Sequence, residues 1–181
     1  SIAPTRAIVA EDAFARLHHR ERAAANTAAI DLIGRLGLET QNQDIAPEGL
    51  DRWFAAFRHL QALEIWENHA QWITKNDPEL GPGVRERFVY AATLTAAHRE
   101  EHQPVWDIAR NQMEDLLGDG RTILLMPTAP VSPKRDASDA EVEDFRARTM
   151  GLTCPAGLSG CPQISLPLAT ASAPVGISMV G

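Results

Sequence analysis

The sequence predicts an α/β layered fold, mainly helical in its first two thirds, on three observations. Apolar residues recur at helical spacing from about residue 9 to 118. A continuous apolar run, Thr122 to Met126, is bounded by glycine and proline, the pattern of a strand buried on both faces. A helix start and two further strand candidates then follow, and alternating strands and helices form layered folds. The 181 residues are 44% apolar and 23% charged, values that exclude a collagen-like or disordered chain. At this length roughly 70% of the unfolded surface can be buried, so the fold needs neither disulfides nor a structural metal.

The elements follow in order. Phe14, Leu17, Ile30, Ile33 and Leu36 recur at helix-like intervals in an Ala- and Arg-rich stretch, a long first helix, whole or broken, that Gly37 stops in the manner of a C-terminal cap. Pro47 and Glu48 open a second helix with Trp53, Phe57, Leu60 and Leu63 on one side, joined by Trp66 and Ile73, and Asn76-Asp77-Pro78 ends it. The Gly81-Pro82-Gly83 turn separates it from a third, from about Val84 to Leu117, which Pro104 should kink or divide because proline lacks a backbone donor. After Gly118-Asp119-Gly120 comes the strand Thr122 to Met126, closed by Pro127-Thr128, and then a proline-rich loop, Ala129 to Arg135. Ser138-Asp139-Ala140-Glu141 is a capping box that starts a short helix. Gly151 to Pro162, with its small residues, reads as a loop leading into a strand, Gln163 to Leu168, and a last strand runs from Val175 to Val180. The chain thus divides into a helical region, 1–120, and a strand-helix-strand region, 121–181. A sequence that stops at Gly181, directly after a strand, is expected to be part of a longer domain.

Charge narrows the partners. The net charge is −7, from 17 basic and 24 acidic residues, and Lys75 and Lys134 are the only lysines. A surface of this sign repels phosphate backbones and anionic lipid heads, so neither nucleic acid nor membrane is expected as a partner. No stretch approaches the roughly 18 apolar residues of a membrane span, and Ser1 to Ala10 lack the apolar block of a secretory signal. Cys154 and Cys161 match no metal or redox spacing. Two unpaired thiols point to a reducing compartment, the cytoplasm, and one of them is expected to pack as a small hydrophobe.

Three stretches are candidate sites. His98-Arg99-Glu100-Glu101-His102 reads as H-x-x-E-H, which on a helix sets two imidazoles one turn apart to grip zinc, with Glu101 placed to polarise a water. A third ligand would have to come from Glu141, Glu143 or Asp144, and a polar helix face explains the same residues, so no bound zinc is expected. His18 and His19 with Arg16, Arg20 and Arg22 could attract an anion, but adjacent helical side chains diverge by about 100°, and a solvated face is the simpler reading. The third is Gly151 to Leu168, where small residues allow close backbone approach to a ligand.

The last region carries a resemblance. An apolar strand closed by Pro-Thr, here Ile123 to Thr128, is followed by a Thr-x-Pro-Ala-Asn-x-x-Gly-x-Pro pattern matched at Thr153, Pro155, Ala156, Gly160 and Pro162, with Pro167 after the next strand. A Pro-Val-Gly-x-x-x-x-Gly pattern is matched at Pro174, Val175, Gly176 and Gly181. In this order the three resemble the C-terminal part of the amidase signature family, serine amidases that include amidotransferase A subunits, fatty acid amide hydrolases and plant indole-acetamide hydrolases. The resemblance covers about residues 121–181, and Gly81 to Phe88 extends it loosely into the helical part. Gly157 stands where the family often has Asn, and Ser178 where it often has Gln.

The resemblance implies helices layered around a mixed β-sheet, with both regions parts of one amidase domain. The parent protein is expected to hydrolyse the C–N bond of a carboxamide through a serine acyl-enzyme, without a cofactor. Thr128, Thr153 and Cys154 are expected at strand ends on one rim, in the wall of the substrate pocket. The partners implied are a small-molecule amide, the N-terminal half of the amidase core and, as a candidate, a second copy. The family's nucleophile lies in a glycine-serine loop with a buried lysine base, yet this sequence has no Gly-Gly pair and its two lysines sit in polar turns. No catalytic residue is therefore assigned here. The alternative is a non-catalytic structural or interaction module.

Overall fold

The computed structural model describes residues 3–81, 83–168 and 175–181, so Pro82 and Pro174 of the motifs lie outside the described residues. The elements are β1 (Arg6–Ala10), α1 (Glu11–Ala15), α2 (His19–Leu36), β2 (Glu39–Gln43), α3 (Leu50–Asn76), α4 (Val84–Ala92), α5 (Ala96–Leu117), β3 (Thr122–Pro127), α6 (Asp139–Ser159), β4 (Gln163–Leu168) and β5 (Val175–Val180). The strands form one sheet in the order β2-β1-β3-β5-β4. β1 runs parallel to β2 and β3, and β5 runs antiparallel to β3 and β4, so the sheet is mixed and the chain is α/β, as expected.

All six residues of β3 are buried, which accounts for its unbroken apolar sequence at the centre of the sheet. Trp53 of α3, Met113 of α5, Leu152 of α6 and Leu124 of β3 belong to the main core. A satellite core of Leu60, Leu63 and Leu94 lies where α3 meets the α4–α5 junction.

Four local expectations are corrected. β1 and β2 fall in the region read as mainly helical: β2 is Glu-Thr-Gln-Asn-Gln, a polar string that is a strand because it pairs residue by residue with β1, from Arg6 opposite Glu39 to Ala10 opposite Gln43. Pro104 does not divide α5, because Glu100, whose carbonyl lacks a donor four residues on, is exposed to water. The break falls instead at Thr93–Thr95, where Thr95 and His98 form a capping box. The Ser138–Glu141 capping box starts a helix as expected, but α6 is long and absorbs the stretch read as a loop, up to Gly160 at φ 73°. The proline inside it is accommodated chemically. Pro155 cannot donate to the Gly151 carbonyl, and the Cys154 thiol donates to that oxygen instead, at 3.5 Å. Nor are Gly151 and Gly157 turn residues: both lie inside α6, and a Cβ on Gly157 would come within 2.8 Å of the Phe57 ring, so Gly157 lets α6 approach α3.

The turn into β3 carries a titratable device. Asp119 accepts hydrogen bonds from the backbone N–H groups of Arg121 and Thr122, both at 2.8 Å, from the Thr122 hydroxyl at 3.0 Å, and from Arg6. The Arg121 N–H lowers its pKa most, burial is the next largest effect and opposes it, and the bonds from Arg6 and Thr122 add to the lowering, from 3.8 to about 2. The folded value lies below the unfolded one, so this stabilisation is complete above 3.8 and is lost as pH falls toward about 2. Denaturation followed across that window is expected to show a flatter pH dependence for Asp119→Asn than for the wild type.

Candidate functional site

Thr128 directly follows β3, and its backbone N–H donates to the Gly176 carbonyl at 2.9 Å, tying the strand end to β5. Side chains alternate across a strand, so Gly176 and Ser178 of β5 share a face with Gln163 and Ser165 of β4. The Thr128 hydroxyl meets both serines there, 2.8 Å from Ser165 Oγ and 2.8 Å from Ser178 Oγ. Gln163 Nε2 donates to Ser178 Oγ at 2.7 Å. Each hydroxyl carries one proton, so donors can run in one sense from Gln163 through Ser178 and Thr128 to Ser165. Ser178 is fully buried and Ser165 is exposed, which places the free end of this chain at the surface.

Gly176 makes the cluster possible. A Cβ there would stand 2.9 Å from Thr128 Oγ1 and 3.1 Å from Ser165 Oγ. Gly176→Ala is expected to cost about 1–3 kcal/mol, the range for overpacking a filled site, and a denaturant midpoint checks it.

The cluster contains no imidazole, amine or carboxylate. Hydroxyls without a base stay protonated and are weak nucleophiles, so the arrangement suits hydrogen bonding of a polar group rather than attack on one. Lys75 and Lys134 are exposed, and the Ser138 hydroxyl donates to Glu141 within the α6 capping box. The Ser159 hydroxyl donates to the Pro155 carbonyl. Ser1 and Ser172 lie outside the described residues.

Thr153 and Cys154 are not at strand ends; both are residues of α6, and this corrects their expected placement. Thr153 Oγ1 donates to the Thr149 carbonyl at 3.1 Å. Cys154 is buried, and burial pushes its thiol from 9.0 up to about 12, with the Arg16 charge pulling the other way. It remains a protonated thiol at neutral pH and packs as a small hydrophobe. Cys161, half-buried, is also a free thiol. Thr128 therefore bonds with sheet residues, while the bonds of Thr153 and Cys154 stay within α6.

The histidine candidates resolve into other roles. His18 is the N-cap of α2, and its Nε2 lies 3.2 Å from Arg148 Nη1. Arg16 pairs with Asp51 at 2.6 Å. His98 caps α5, and His102 stacks on His59 instead of converging with His98 on a point. Glu141 serves its capping box, Glu143 pairs with Arg146 and Asp144 with Arg148. Among the described residues, no group of three or more His, Cys, Asp or Glu side chains is arranged to hold a metal ion. A cleft of about 550 Å³ opens elsewhere, beside the C-terminal ends of β1 and β2, between Phe14, Ile30 and Ile33 on its apolar side and Arg22, Asn26 and Asn42 on its polar side.

The sheet and its helices define an α/β chain, and comparison with known proteins places it further. The chain is 38% identical over 126 residues to Amidase 1 of Oryza sativa subsp. japonica, covering 68% of this chain and 29% of that protein. It is 34% identical over 143 residues to Amidase 1 of Arabidopsis thaliana, covering 78% of this chain and 33% of that one. The chloroplastic outer envelope protein 64 of Arabidopsis thaliana is 31% identical over 124 residues, 67% of this chain and 21% of its own length. Among solved structures, that of an amidase superposes with a TM-score of 0.79 at 24% identity, over all of this chain and 42% of that chain. A bacterial aryl acylamidase of the amidase signature family superposes with a TM-score of 0.74 at 15% identity, over 99% of this chain and 40% of its own. No protein-family model matches the chain. The chain belongs to the amidase signature family and corresponds to a C-terminal segment of it. It spans about a third of the length of the plant amidases it matches.

Proposed function

We propose that this chain supplies sheet strands and one wall of the substrate pocket to an amidase that hydrolyses the C–N bond of a carboxamide through a serine acyl-enzyme. The nucleophile and its base come from sequence outside these 181 residues. The observation that carries this reading is the combination of sequence identity to plant amidases with a hydroxyl cluster, around Thr128, that has hydrogen-bonding groups and no base. Thr128 presents its hydroxyl toward bound substrate, Thr153 contributes to the wall from α6, and Cys154 backs the wall from the core.

The remaining part of the amidase core is the partner this reading requires. β4 is an edge of the described sheet, where backbone groups are free to pair with further strands, and Ile164 on it is 56% exposed, an apolar side chain suited to being covered by a packed element. No described helix is long and apolar enough to cross a membrane, and two free thiols favour the cytoplasm. Expression of a longer chain that includes a glycine-serine loop and a lysine tests the function: such a chain should hydrolyse a small primary or aryl amide. Absence of hydrolysis across a panel of such amides would instead favour a non-catalytic module.

A further inference from the structure

The H-x-x-E-H histidines find a third partner that the sequence alone does not connect to them. His59, on α3, stacks on His102 of α5 with ring centroids 4.0 Å apart and planes 23° from parallel, and lies 6.2 Å from His98 at 13°. Tyr90 of α4 meets the His59 ring edge-on at 6.1 Å.

The hydrogen bonds locate protons. Thr95 N–H donates to His98 Nδ1 at 3.1 Å, so the proton of neutral His98 is on Nε2. His59 Nδ1 is 2.7 Å from the Ala55 carbonyl, which can only accept, so His59 carries its proton on Nδ1. With both rings neutral, each satisfies its backbone partner, and the stack joins α3 to the first turns of α5 by ring faces.

A proton added to this stack puts a cation against a second imidazole 4.0 Å away. The surrounding charges do not offset two such cations. From α3, Arg58 sits over the Tyr90 ring at 4.9 Å, and Glu67 is paired with Arg99 of α5 at 2.7 Å. From α4 the facing group is the Tyr90 phenol, and from α5 Glu101 is the carboxylate that favours a charged His102.

We propose that His59, His102 and His98 form an acid-sensitive latch, in which neutral stacked rings hold the N-terminal half of α5 on α3 and accumulation of protons releases it. Burial, then the charge of His59, hold His102 below its ordinary 6.5, with Glu101 opposing them and His98 adding to them. A histidine depressed in the folded state stabilises the fold fully above 6.5 and loses that contribution as pH falls through the lowered value. Release acts on the neighbouring satellite core, where Leu60, Leu63 and Leu94 pack with Tyr90 and Trp106.

Proton NMR titration of the histidine rings in the 181-residue chain tests the latch. In the wild type His102 should titrate below 6.5, and in His59→Phe its midpoint should rise toward that value. A midpoint for His102 that does not move in His59→Phe overturns the proposal. Should that variant fail to fold, His102→Gln is measured by urea denaturation between about pH 7.5 and about pH 5, the range in which histidine changes charge. A smaller acid-induced loss of midpoint than in the wild type supports the latch, and an equal or larger loss contradicts it.

Discussion

Amide turnover by these 181 residues alone is expected to lie about 10⁶-fold below that of a longer chain carrying the nucleophile, the scale of loss when a catalytic serine is removed. The cause would be a missing nucleophile and not a damaged pocket wall. Thr128, Ser165, Ser178 and Gln163 form one hydrogen-bonded cluster, and none of these four side chains is a base. The Cys154 thiol, raised to about 12 by burial, is no substitute. Steady-state assay of both chains with the same aryl amide measures the ratio, and comparable rates would place a nucleophile and its base within these 181 residues.

Trp53→Ala should have the largest effect on stability, about 3–5 kcal/mol, the cost of emptying a buried aromatic site. Trp53 is fully buried in the main core, and its indole N–H donates to Glu48 Oε2 at 3.2 Å. The substitution opens a cavity and also removes the hydrogen bond that ties the segment before α3 to that helix. Equilibrium denaturation gives the loss directly, and a cost under about 1 kcal/mol, typical of surface changes, would place Trp53 outside the core.

The parts of the fold that were legible in sequence are those where local signals and tertiary packing agree. β3, β4 and β5 stand between glycine or proline punctuation and were bounded within a residue, because burial on both faces leaves β3 a continuous apolar run. β2 was not legible: Glu39 to Gln43 holds no apolar residue, and only its pairing with β1 makes it a strand. α6 was misread because Gly151, Pro155 and Gly157 are loop residues by propensity. In the folded chain a thiol replaces a proline's missing donor and a glycine admits a phenylalanine ring, and neither compensation is visible without the neighbouring helix.

The candidate site divides in the same way. Thr128 was accessible because it closes an apolar strand, whereas Ser165 and Ser178 were missed as its partners. Their signal was present as a two-residue period, Gln163-x-Ser165 on one strand and Gly176-x-Ser178 on the next, which puts polar side chains on one sheet face. What could not be read was the antiparallel register that sets Ser165 opposite Ser178. Thr153 and Cys154 were placed with Thr128 because their loop was expected to reach the sheet rim. Their helix packs on α3 and α5 instead.

The central claim, that the chemistry of the parent amidase resides outside this chain, is tested most directly by treatment with a serine-directed fluorophosphonate followed by intact-mass measurement. The 181-residue chain should remain unmodified, while a longer chain with the glycine-serine loop should gain one adduct. A stoichiometric adduct on the 181 residues, abolished by replacing one of Ser1, Ser132, Ser138, Ser159, Ser165, Ser172 or Ser178, would contradict it.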